Sequence, residues 1–261
     1  MPLAADTTLH DRRPERPLWR GAAIWDDRTM TPLYGAVLAG DLDAVRDEVA
    51  QGGDVNARND DNRWTALMVA VAEGFHAVAA ELLASPAIDV NASAERGLTA
   101  LHVAADRGDA RAAELLLAHP GIDPNAKDEL GRTPLIVAAF AGDAPLVERL
   151  LADPATMVDA VDRDRQTALA WAALGGDAGV VRTLLADPRT NPGITNRPDG
   201  RTALQIAEAA GNDEAARLLR AAEPGDDRLA PGDDWAPRAE AGPVVRTPIR
   251  PDPPEPRRPG P

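Results

Sequence analysis

The sequence predicts an all-α solenoid, a stack of helix–turn–helix units joined by β-hairpin loops, and three observations predict it. Thr31, Thr65, Thr99, Thr133, Thr167 and Thr202 recur at intervals of 34 residues, the last one 35, each followed at fixed offsets by Leu, Ala and Gly, as in Leu101, Ala104 and Gly108 after Thr99. A leucine pair returns in the same register, as Leu82-Leu83, Leu116-Leu117, Leu150-Leu151 and Leu184-Leu185. A proline-bearing turn then follows each pair, as Ser85-Pro86, His119-Pro120, Asp153-Pro154 and Asp187-Pro188. A fixed period of this length marks units that bury their apolar faces only against their neighbours.

Residues 1–25 read as a flexible lead in which Trp19, Ile24 and Trp25 cover the open end of the first unit. Residues 26–223 hold six units. In each, the opening Thr caps a first helix by accepting from free N–H groups of the first turn, and Pro32 or Pro134 sits at the one helical position that tolerates proline. Small residues such as Ala104 and Ala105 let this helix approach its neighbours, and the recurrent Gly ends it in a positive-φ conformation. The second helix carries the leucine pair as core. An extended segment such as Ile122-Asp123-Pro124-Asn125 leads to a hairpin tip, with Gly97, Gly131 and Gly200 at three tips, Asn62 serving in the first and Arg165 in the fourth. Glu48 and Arg220 replace leucines of the pair in the end units, as expected of polar caps that complete the stack. Residues 224–261 contain eleven prolines and read as a disordered tail, with P-x-x-P spacings beside arginines as a possible ligand for an aromatic groove.

The units resemble the ankyrin repeat, whose pattern is Thr-Pro-Leu-His-x-Ala, through Thr31-Pro32-Leu33-Tyr34, Thr133-Pro134-Leu135-Ile136 and Thr99-Ala100-Leu101-His102. The resemblance implies paired antiparallel helices with protruding hairpins, a structural hydrogen-bonding role for His102, and binding of other proteins on a concave strip made of hairpin tips and first helices. Carried onto this chain, that strip comprises Arg63, Trp64, Arg96, Leu98, Leu130, Arg132, Arg163, Arg165 and Arg201 at the tips, with Leu38, Glu73, Asp106, Arg107, Phe140 and Leu174 on the first helices. Trp64, Phe140 and Leu174 stand out as apolar anchors, aromatic and arginine side chains being the usual energetic centres of an interface. The competing reading has Phe140 and Leu174 packing on each other between repeats.

The net charge of −14 falls on the repeats, because the lead and the tail each come close to neutral. Acidic excess argues against nucleic acid and anionic membrane as partners and favours a basic one. No Cys is present, and the first thirty residues hold neither a secretory signal nor an apolar run, so a cytoplasmic protein is expected. His10, His76, His102 and His119 share no metal-ligand spacing, and the acidic triplets Asp60-Asp61-Asn62 and Asp162-Arg163-Asp164 lack the glycine and closing Glu of a calcium loop. The sequence thus predicts a monomeric, non-enzymatic protein-binding scaffold without metal or cofactor. The rival is an inhibitor or immunity-type protein that blocks a basic enzyme or toxin.

Overall fold

A computed structural model describes residues 31–222, apart from residues 60, 61 and 198; the expected lead and its tryptophan cap, and the proline-rich tail, lie outside the described residues. Among the described residues, twelve α-helices follow one another in pairs: α1 (Pro32–Ala39) and α2 (Leu42–Ala50), α3 (Ala66–Ala72) and α4 (His76–Leu83), α5 (Ala100–Arg107) and α6 (Ala110–Leu117), α7 (Pro134–Ala141) and α8 (Ala144–Leu151), α9 (Ala168–Gly175) and α10 (Ala178–Ala186), α11 (Ala203–Ala210) and α12 (Asp213–Ala222). The odd-numbered helices pack each on the next to form one layer, the even-numbered helices form a second, and each pair packs across.

The threonine caps lie where the spacing places them. Thr31, Thr65, Thr99, Thr133, Thr167 and Thr202 each accept at Oγ1 from the N–H three residues on. Four second helices are capped likewise by Asp41, Asp109, Asp143 and Asp177, which carry negative charge to the positive end of the helix dipole. The glycines that end the first helices, Gly108, Gly142 and Gly176 among them, have φ of 66°, 79° and 74°. They meet a second demand that spacing alone does not reveal. A Cβ on Gly108 would lie 2.4 Å from Asp143 Oδ2, and one on Gly142 2.6 Å from Asp177 Oδ2, so the next repeat's capping carboxylate fills the space a side chain would need.

In each leucine pair the first member, Leu82, Leu116, Leu150 or Leu184, is fully buried, whereas the second packs half-buried at the edge of the core. Of the two end substitutions, Arg220 is exposed and pairs with Glu208, and Glu48 is half-buried.

The loops differ from the expected β-hairpins in how they are held. Among the described residues no strand forms, and the one isolated bridge joins Arg58 and Thr65. Each tip is instead closed by a backbone hydrogen bond, from Asn59 to Trp64, Ala94 to Leu98, Asp128 to Arg132, Asp162 to Gln166 and Asn196 to Arg201. In four of the five, the opening Asx side chain accepts again from the closing N–H, at 2.8 Å each from Trp64, Arg132, Gln166 and Arg201. Arg63, not Asn62, takes the positive-φ position of the first tip, with φ 58°, and Arg165 takes it in the fourth, also at 58°.

Two polar ladders tie repeat to repeat. Tip N–H groups of Glu95, Glu129, Arg163 and Arg197 donate to the carbonyls of Asn62, Arg96, Leu130 and Asp164 in the preceding tip. Behind them, Asn56, Asn91 and Asn125 each use both ends of the amide: Nδ2 donates to the carbonyl of Ala87, Gly121 or Ala155, while Oδ1 accepts from the N–H of Asp89, Asp123 or Met157. Asp159 continues the series and accepts from Asn191 N–H at 3.1 Å.

Candidate protein-binding surface

The tips and first helices bring part of the expected strip to the surface and withdraw the rest. Trp64 is 5% exposed and Leu98 4%, and both belong to the continuous apolar core. Arg132, 8% exposed, is a brace inside the third hairpin: its Nε and Nη2 donate to Asp128 Oδ2 at 2.8 and 2.7 Å. These three are therefore corrected from surface to structural residues. Burial of a tip side chain depends on the repeats stacked beside it, which the sequence pattern of one repeat does not carry.

His102 helps to build the same corner. Fully buried, it donates from Nε2 to the Arg132 carbonyl at 3.0 Å, which leaves Nδ1 to accept from Thr99 N–H at 3.3 Å and from Thr99 Oγ1 at 2.9 Å. Those roles require the neutral ring, and burial correspondingly holds its pKa below the ordinary 6.5.

Arg63, Arg96, Leu130 and Arg107 are exposed, and Asp106 is half-buried. Leu130 is 42% exposed, an uncommon exposure for a large apolar side chain in this stack. Arg96 pairs with Glu129 of the next tip, Nε to Oε1 at 2.5 Å. Phe140 and Leu174 are both half-buried on the first-helix layer. Phe140 packs against Trp171, with ring centroids 5.1 Å apart and planes at 88°, an edge-to-face arrangement.

Trp171 is the residue that sequence reasoning missed. It occupies the register position of Val69, Val103 and Val137, all buried, and a tryptophan there is too large to be enclosed. Its indole Nε1 donates to Asp162 Oδ2 at 2.9 Å. In the preceding hairpin the equivalent carboxylate oxygen is satisfied by Arg132, and where Gln166 replaces that arginine the indole takes over. The exchange pins Trp171 to the fourth tip and, through it, Phe140. Asp162 Oδ1 meanwhile accepts from Asp164 and Gln166 N–H, so this acidic triplet is spent on the turn. Among the described residues no group of three or more His, Cys, Asp or Glu side chains could hold a metal, and no helix is long and apolar enough to cross a membrane.

The two layers differ in how their charges are paired. Second helices carry Asp43, Glu81, Glu114 and Glu214, each paired with an arginine on the same layer. The tips carry exposed arginines as well, Arg63, Arg96, Arg163, Arg165, Arg197 and Arg201, of which Arg96 pairs with Glu129, alongside the exposed acids Glu95, Asp164 and Asp199.

A model described as ankyrin repeats in three copies matches residues 33–128 and 121–196, more than half of the chain. No curated protein matches in sequence. Among solved structures, the ankyrin repeat domain of Bcl-3, of the IκB protein family, is 28% identical with a TM-score of 0.68, over 74% of this chain and 86% of that one. An ankyrin repeat domain from Acinetobacter baumannii AYE is 30% identical with a TM-score of 0.67, over 73% and 97%. The ankyrin repeat protein EF0377 is 25% identical with a TM-score of 0.64, over 72% and 96%. With that family model matched over more than half of its length, the chain belongs to the ankyrin repeat family.

Proposed function

We propose that this protein is a non-catalytic scaffold that binds a partner protein on the face formed by its hairpin tips and first helices. Ankyrin repeats generally mediate protein–protein interaction. The observation that carries the reading is the Phe140–Trp171 pair, two aromatic rings left partly exposed side by side on the first-helix layer, with Leu174 half-buried one turn beyond Trp171. Such rigid aromatic groups lose little entropy on contact, and backbone hydrogen bonds between tips hold the rest of the face in place before a partner arrives.

The test is a comparison of captured partners and their affinities between the full chain, Phe140→Ala, Leu174→Ala and an exposed second-helix control, Glu148→Ala. Loss of affinity of about 2 kcal/mol for Phe140→Ala is expected, with the control unchanged and the thermal midpoint of the variant close to that of the parent. Equal losses in the control would place binding elsewhere, and unfolding of Phe140→Ala would make that ring core.

A further inference from the structure

We infer that the last two tips and the Phe140–Trp171 pair form one seat for an acidic, extended segment of a partner protein, with an apolar side chain beside its carboxylates. The inference rests on the binding face proposed above and adds the chemistry of its occupant. Arg163, Arg165, Arg197 and Arg201 are all exposed on these two tips, and none makes an ion pair among the described residues, whereas the second-helix arginines are paired with neighbouring acids. The acids of the same tips are fewer, Asp162, Asp164 and Asp199 against four arginines, and Asp162 is consumed by two turn N–H groups and the Trp171 indole. Planar guanidinium groups that are weakly hydrated and unpartnered match carboxylates, which accept two parallel hydrogen bonds from each.

The backbone adds an independent sign. Arg165 has φ 58°, as Arg63 has at the same place in the first tip, where Gly97, Gly131 and Gly200 have φ of 73°, 77° and 65°. A left-handed conformation is costly for any side chain with a Cβ and free for glycine, so arginine at this position works against the fold. Residues kept in such conformations concentrate where they serve binding. Geometry joins the charged and apolar parts. Arg163 N–H donates to the Leu130 carbonyl, Arg197 N–H to the Asp164 carbonyl, and Asp162 holds Trp171 against Phe140, so both tips and the aromatic pair are set in one frame.

The experiment pans the full chain against a random peptide library and measures the enriched peptides by fluorescence anisotropy. Peptides with Asp or Glu beside a large apolar residue are expected. Arg197→Gln with Arg201→Gln should weaken them about tenfold, and affinity should fall as salt rises. Arg165→Gly is the sharper variant: it should weaken binding while raising the thermal midpoint, a combination that a purely structural arginine does not produce. Enrichment of basic peptides, or acidic peptides indifferent to these arginines yet weakened by Phe140→Ala, would overturn the acidic occupant and leave the binding face standing. A library that enriches no peptide sensitive to Phe140→Ala would overturn both.

Discussion

Asp159 stands where three other repeats place an asparagine, and the difference is one of donors. Asn56, Asn91 and Asn125 both give and accept a hydrogen bond across the repeat boundary, while a carboxylate only accepts. By register, the carbonyl left without a side-chain donor is that of Arg189, and the half-buried carboxyl has its pKa raised, chiefly by desolvation. The sign follows. A carboxyl that binds its proton more tightly in the fold than in the unfolded chain favours folding below the ordinary value of 3.8, and that contribution is lost as pH rises through the higher folded value. Asp159→Asn should therefore raise the thermal midpoint at neutral pH by about 2–4 °C, the equivalent of about 1 kcal/mol for one net hydrogen bond in a domain of this size. Melts of both proteins from pH 7 down to pH 4 should show the gap narrowing. A gap that widens in acid would mean that the carboxylate has a partner that asparagine cannot replace.

At the scale of one element, the leucine pair predicts its own energetics. Leu116 is sealed between helices on all sides and Leu117 lies half-buried at the margin. Truncation of Leu116 to Ala leaves a cavity and should cost about 2–5 kcal/mol, whereas Leu117→Ala should cost well under half as much, because its surroundings can close or admit water. Denaturant melts with equal losses at the two positions would contradict the packing. The helices were legible from sequence because their signals are local and repeated: a hydroxyl at Thr99 and a glycine at Gly108 act within one turn of the helix they delimit. The surface was less so. Trp64, Leu98 and Arg132 sit beside exposed tip residues in sequence yet are buried, in a corner that the preceding repeat reaches from 30 residues away, as His102 does at the Arg132 carbonyl. Trp171 was hidden for the opposite reason, since it stands at a position that valine makes core in three other repeats.

Across the described repeats, a few joints recur: a tip N–H to the previous tip, an Asx side chain behind, and, at Gly108 and Gly142, the next repeat's capping carboxylate under the glycine. Stability should then be a sum over units and their interfaces. Deletion of residues 99–132 removes one unit at its own register and brings the tip that holds Arg163 next to the one that holds Arg96. The shortened chain should fold, with a smaller denaturant slope and a lower midpoint, since slope follows the surface exposed on unfolding. Deletion of a few residues less from the same stretch shifts every later joint and should abolish cooperative unfolding. If both deletions behave alike by circular dichroism and denaturant titration, the joints are not what holds the stack.

The tip-to-tip ladder also has a meaning for heredity. Because each rung joins a backbone N–H to a backbone carbonyl, it is indifferent to which side chains the two tips carry. A gene that encodes such a chain can exchange, gain or lose a middle unit by recombination and still yield a closed ladder, while the residues displayed along it change freely. Architecture and recognition are thereby inherited on separate terms: the first is written in main-chain geometry common to every unit, the second in the few side chains, Arg165 and Trp171 among them, by which one unit departs from the others.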